Sequence, residues 1–141
     1  MSFPAQWVTA PGGTGDFTSA PVAGTTTPGT ALSTANIAHG TLSCLFVLLA
    51  DTNTLTMTAK FQVSDDQTTW YDLAGDAQNP ANVAQATGTA GADTAVSRVL
   101  PVPTAAIGWK YIRAAVVNGV ATGASIDTYA MTFHYRRFTG F

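Results

Sequence analysis

The chain has 141 residues, room for one domain whose core needs no covalent staple. Only 10% of the residues are charged, against about a quarter in an average domain, the net charge is -2, and glutamate is absent. The 6 Lys and Arg residues leave no clustered basic footprint for phosphates, so nucleic acid is excluded as a partner, and the lone Cys44 excludes an intrachain disulfide or a polythiolate zinc site.

In chain order, residues 1–30 carry Pro4, Pro11, Pro21 and Pro28 among Gly12, Gly13, Gly15, Gly24 and Gly29, with few large apolar groups. Such a segment cannot bury enough surface to offset its own ordering entropy, and it reads as an extended N-terminal arm, mobile or held against something else. Phe3, Trp7 and Phe17 stand out within it. Isolated aromatics bury a large area at low entropic cost, which suits either anchors in pockets of a neighbouring molecule or rings folded back on their own domain. Met1-Ser2-Phe3-Pro4 lacks the basic start and apolar run of a signal peptide, and the longest apolar run, residues 44–50, is too short to cross a bilayer. The expectation is a protein made and folded in a cytoplasm, with no membrane partner.

From residue 31 the sequence breaks into short β-prone runs separated by Gly, Asn, Asp and Pro. Strands are expected at 31–37, 41–49, 54–64, 70–73, 95–102, 110–117 and 127–137. The clearest alternates Leu55, Met57, Ala59, Phe61 and Val63 with Thr54, Thr56, Thr58, Lys60, Gln62 and Ser64, a period of two that places one face in a core and the other against water or a partner. Asp65-Asp66-Gln67-Thr68-Thr69 then supplies turn residues, and Trp70-Tyr71-Asp72-Leu73 returns as the second limb of a hairpin. Residues 81–95, rich in Ala and Thr and interrupted by Gly88 and Gly91, read as a long loop and a contact surface. Asn118-Gly119 ends the strand at 110–117 with a strong turn dipeptide, so a further hairpin or tight connection is expected to lead toward the last strand. That strand sets Tyr129, Met131, Phe133 and Tyr135 on one face. Residues 31–141 therefore predict an all-β domain, an antiparallel, jelly-roll-like β-sandwich of seven or eight strands.

A search for chemistry finds no catalytic set. His39 and His134 lack metal-ligand spacing, and Gly12-Gly13-Thr14-Gly15 has no preceding strand or following helix for a phosphate loop. Asp65, Asp66, Asp72 and Asp76 match no calcium loop and read as turn caps, and Cys44, inside an apolar run, reads as a small buried hydrophobe. No nucleophile, base and orienter can be assembled, so no enzyme, cofactor or metal is expected. Trp70, Tyr71, Trp109 and Tyr111 offer an alternative reading, an aromatic platform for glycans, set against the plain one that they cover the core.

Lys60-Phe61-Gln62-Val63-Ser64-Asp65-Asp66-Gln67-Thr68-Thr69-Trp70-Tyr71-Asp72-Leu73 together with Trp109-Lys110-Tyr111-Ile112-Arg113-Ala114 resembles the strand, turn, tryptophan and returning Arg-bearing strand of β-sandwich virion proteins of tailed bacteriophages, the capsid decoration or cement proteins above all. That pattern often has a glycine after the turn aspartate, where this chain has Gln67. The resemblance covers residues 31–137. It implies a non-enzymatic role on the capsid exterior of the virion, with the major capsid protein and copies of the chain itself, commonly a homotrimer, as partners. Phe3, Trp7 and Phe17 are then the candidate contact residues. Similar sandwiches serve as tail, fibre and head-tail connector components, so the fold does not fix the role.

Overall fold

A computed structural model describes residues 5–16, 26–38, 40–50, 54–73, 81–87, 94–118 and 128–138. In chain order the strands are β1 (Ala5–Asp16), β2 (Thr26–Pro28), β3 (Leu32–Ser33), β4 (Ser43–Ala50), β5 (Thr54–Ser64), β6 (Tyr71–Asp72), β7 (Ala81–Thr87), β8 (Thr94–Pro101), β9 (Tyr111–Asn118) and β10 (Thr128–Phe138). One sheet runs β1-β10-β4-β8 and the other β2-β9-β5-β6, with β3 beside β2 on the same flank of β9 and β7 beside β6 on the same flank of β5. All pairings are antiparallel. With the two-residue β3 and β6 treated as extensions of their flanks, four strands remain in each sheet, β1-β10-β4-β8 and β2-β9-β5-β7, in the wrapped order of a jelly roll.

The alternation read in the last strand places the core. Tyr129, Met131, Phe133 and Tyr135 are buried while the residues between them are half-buried. Cys44 and Phe46 of β4 point the same way, and Phe61 and Val63 of β5 with Ile112, Ala114 and Val116 of β9 face them from the other sheet. Phe46 and Phe61 meet between the layers with ring centroids 6.3 Å apart. Burial pushes the Cys44 thiol up to about 12, which keeps it protonated and inert, as its apolar setting predicts.

Several local expectations are corrected. Residues 81–87, expected within a loop, form β7, an edge strand that pairs with β5 on the flank away from β9, because β5 offers its unpaired backbone groups there. In the run 31–37 only Leu32–Ser33 is strand. Asn36 there adopts φ 65°, which turns the chain so that Ile37 bridges Arg137 in the opposite sheet. Asn118 does not lead into a hairpin with the last strand, since β9 and β10 lie in different sheets.

The Pro- and Gly-rich segment read as an arm supplies, where it is described, the first strand of each sheet. β1 pairs with β10 from Ala5↔Phe138 to Asp16↔Thr128, with a bulge between Pro11 and Gly13, and Val8 and Ala10 pack on the core. β2 pairs with β9. Glycine is what lets these strands close the sandwich. Gly29 N–H donates to Ala114 O at 2.8 Å and Thr30 N–H to Gly12 O at 2.9 Å, a stitch between the sheets at one flank. A Cβ on Gly29 would sit 2.0 Å from Gly12 O and 2.7 Å from Ala114 O, so only a bare backbone fits.

Candidate functional site

The hairpin of β5 and β6 builds a polar ladder on the outer side of its sheet. Gln62 faces Arg113 across β9 and Asp72 across β6, so its side chain bridges two strands. Gln62 Nε2 donates to Asp72 Oδ1 at 2.9 Å, Arg113 Nε donates to Gln62 Oε1 at 2.8 Å, and Lys60 Nζ lies 3.1 Å from Asp72. The Arg113 guanidinium carbon lies 4.1 Å from the centroid of Trp70, a cation–π contact that caps one face of that ring. The Gln62 and Lys60 bonds hold the Asp72 carboxyl below its ordinary range, and partial desolvation draws Arg113 down from its usual value. Gln62 and Ser64 are consequently buried although they occupy the face expected to meet water.

Of the four acids read as turn caps, Asp66 caps its turn, Asp72 belongs to the ladder instead, and Asp76 lies outside the described residues. Asp66 Oδ1 accepts the N–H groups of Thr68 and Thr69, both at 2.8 Å, and the Ser64 hydroxyl at 3.0 Å. These bonds, led by Thr69, pull the Asp66 carboxyl below its ordinary range. Ser64 Oγ in turn accepts Gln67 N–H at 2.9 Å. Gln67 takes φ 58°, the left-handed conformation that explains why a glycine suits this position. Asp65 leaves its own turn and accepts Lys110 N–H at 3.1 Å.

That bond anchors a second cluster. Thr34 Oγ1 donates to Trp109 O and Thr34 N–H to Lys110 O at 3.0 Å, so residues 109–110 are clamped from both sides. The clamp borders an open groove of about 650 Å³ lined by Ser33–Ala35, Asp65 and Ile107–Tyr111. Tyr71, 54% exposed, packs on Trp109 with centroids 5.6 Å apart. The four aromatics proposed as a platform are therefore divided: Trp109 and Tyr111 line the groove, Tyr71 packs on Trp109 beside it, and Trp70 lies against Arg113.

Of the arm aromatics, Phe3 and Phe17 lie outside the described residues. Trp7 is 71% exposed on β1, an edge strand, with the Arg136 guanidinium carbon 5.1 Å from its centroid. Arg136 Nε is buried without an acceptor among the described residues. His39 also lies outside them, while His134 sits between Thr9 and Ser43 on the outer side of its sheet. No group of three His, Cys, Asp or Glu side chains capable of holding a metal occurs among the described residues, and no helix there is long and apolar enough to span a membrane. Sequence reasoning missed Lys60, Gln62, Arg113 and Arg136. Cross-strand register would have paired Gln62 with Arg113, but register is set by tertiary pairing.

The architecture is an antiparallel jelly-roll β-sandwich. No protein-family model and no curated protein matches the chain. Among solved structures it is similar to the Gx strain of infectious bursal disease virus, with TM-score 0.56 and 15% identity over 96% of this chain and 33% of that one. The VP2 subviral particle of the same virus aligns with TM-score 0.51 and 16% identity over 95% of this chain and 33% of that one. Its T=1 particles give TM-score 0.50 and 18% identity over 95% and 32%. The chain thus spans about a third of the length of these viral chains, and at such identity the likeness is one of fold.

Proposed function

We propose that this chain is a non-enzymatic structural component of a bacteriophage virion, a decoration or cement protein that binds the outside of the assembled head and bridges major capsid subunits. The family resemblance of residues 60–73 and 109–114 and the capsid-type sandwich support the class. The observation that carries the binding role is Trp7, a large aromatic left 71% exposed on a sheet edge beside Arg136. Tryptophan and arginine are the residue types that dominate binding hot spots, and covering such a side chain contributes about 1.5–3 kcal/mol per copy. Repeated on a symmetric shell, individually weak contacts become strong collective reinforcement. Phe3 and Phe17 are the further contacts in this reading, and a homotrimer is its expected unit.

Truncation of residues 1–30 is a poor test, because it removes β1 and β2 and opens the sandwich. A point substitution is cleaner. Purified chain mixed with assembled heads of the virus that encodes it is expected to co-sediment, and Trp7→Ala is expected to weaken that binding about tenfold or more while leaving the unfolding midpoint nearly unchanged. Equal co-sedimentation of both proteins would remove Trp7 from the interface. Failure of the wild-type chain to co-sediment, with recovery on isolated tails instead, would replace the head assignment by a tail or fibre one.

A further inference from the structure

The groove beside Trp109 is at the same end of β5 and β9 as the turn, has a lining that does not include Trp7 or Arg136, and its composition suits a different ligand. We propose that it is a binding site for a neutral oligosaccharide, with Trp109, Tyr71 and Tyr111 as ring platforms and Asp65, Lys110 and Ser33 as polar partners.

Four features support this. First, the volume of about 650 Å³ lies inside the range of small-molecule sites, and the groove is open at the surface, which admits an extended chain rather than a single enclosed molecule. Second, the groove floor is fixed before any ligand arrives. Thr34 holds the carbonyls of Trp109 and Lys110, Asp65 holds the Lys110 N–H at 3.1 Å, and Trp109 N–H donates to Ala106 O at 3.1 Å. Trp109 is also packed on the core, so little side-chain freedom is left to lose on binding.

Third, Tyr71 and Trp109 meet at an interplanar angle of 42°, so their exposed faces are not coplanar. Successive sugar units along a twisted glycan chain present their apolar C–H faces in changing directions, whereas a flat aromatic ligand would favour parallel rings. Fourth, the charges in the groove cancel. Asp65 uses Oδ1 for Lys110 N–H, which leaves Oδ2 to accept, and Lys110, which lines the same groove, brings one positive charge. A phosphate or acidic ligand would meet the Asp65 carboxylate, and a cationic one the Lys110 ammonium. Hydroxyl groups, which both donate and accept, satisfy the pair together. Trp70 is no part of this site, because Arg113 covers one face of its ring.

The test is an NMR titration of the isotope-labelled chain with cello-, xylo-, malto- and chito-tetraose, each up to about 10 mM. Saturable shifts are expected with at least one of them, in the Trp109 indole and the amides of residues 33–35 and 107–111. Tyr71→Ala removes an exposed ring without opening the core, and is expected to weaken that binding about tenfold. Asp65→Asn retains an acceptor for Lys110 N–H and is expected to weaken it severalfold. Trp7→Ala is expected to leave it unchanged, which separates this site from the shell contact. No shift with any tetraose, shifts confined to another surface, or binding insensitive to Tyr71→Ala would each overturn the assignment.

Discussion

Substituting Gly29 by alanine tests whether the Pro- and Gly-rich N-terminal segment is integral to the sandwich. The added Cβ would lie 2.0 Å from Gly12 O and 2.7 Å from Ala114 O, both backbone atoms of strands already locked in register, and 2.9 Å from the more yielding Met131 Cε. Neither carbonyl can retreat without stretching the bonds it accepts from Gly29 at 2.8 Å and Thr30 at 2.9 Å. Overpacking of a rigid site costs about 1–3 kcal/mol, and weakening two backbone hydrogen bonds adds about 1 kcal/mol each. Alanine returns up to about 1 kcal/mol by restricting the unfolded chain, leaving a net loss of about 3 kcal/mol. For a domain of this size that is a drop in Tm of about 6–12 °C. Urea unfolding followed by circular dichroism measures it, with Gly108→Ala as the control because nothing lies within 4 Å of a Cβ there. A Gly29→Ala midpoint within about 0.5 kcal/mol of the wild type would refute the close approach of Gly12 and Gly29 and the closure of the flank it represents.

Three further outcomes follow from the described side chains. Cys44, fully buried and with its thiol pushed up to about 12, is expected to resist a disulfide reagent in the native protein and to react fully in urea; rapid native labelling would contradict its burial. Asp66 and Asp72 both have folded pKa values below their ordinary range, so their contribution is present above the unfolded carboxylate pKa and lost as pH falls through the folded one. The urea midpoint should therefore be flat from about pH 7 to 5 and decline below about pH 4, with a shallower decline in Asp72→Asn; an identical slope in that variant would remove the Asp72 linkage. Arg113→Leu leaves buried Gln62 Oε1 without its donor and uncovers Trp70, at a cost of about 1–3 kcal/mol in chemical unfolding. A change below about 0.5 kcal/mol would mean the ladder is not a structural element.

What could be read in advance followed from local chemistry. The period of two in residues 127–137 gave the inward face of Tyr129, Met131, Phe133 and Tyr135 because one-sided burial leaves a direct mark on a strand. Asp66 showed its turn because its side chain accepts backbone N–H groups two and three residues on. The role of Gly12 and Gly29 was hidden, since a glycine required by a neighbour far along the chain looks the same as one in a flexible linker. Likewise β7 carried no apolar stripe, its pairing with β5 being a property of the assembled sheet. The partition of the candidate aromatics between Arg113 and the groove depends on β6 register, where one residue's shift exchanges the faces of Trp70 and Tyr71.

The proposed shell role is tested most directly by a reconstruction of the virion that encodes this chain, at a resolution that traces strands. The account predicts jelly-roll density on the outside of the head, seated across neighbouring major capsid subunits with Trp7 and Arg136 of the β1–β10 edge at the contact. Head density without this sandwich, or the sandwich found in the tail with Trp7 facing solvent, would contradict it.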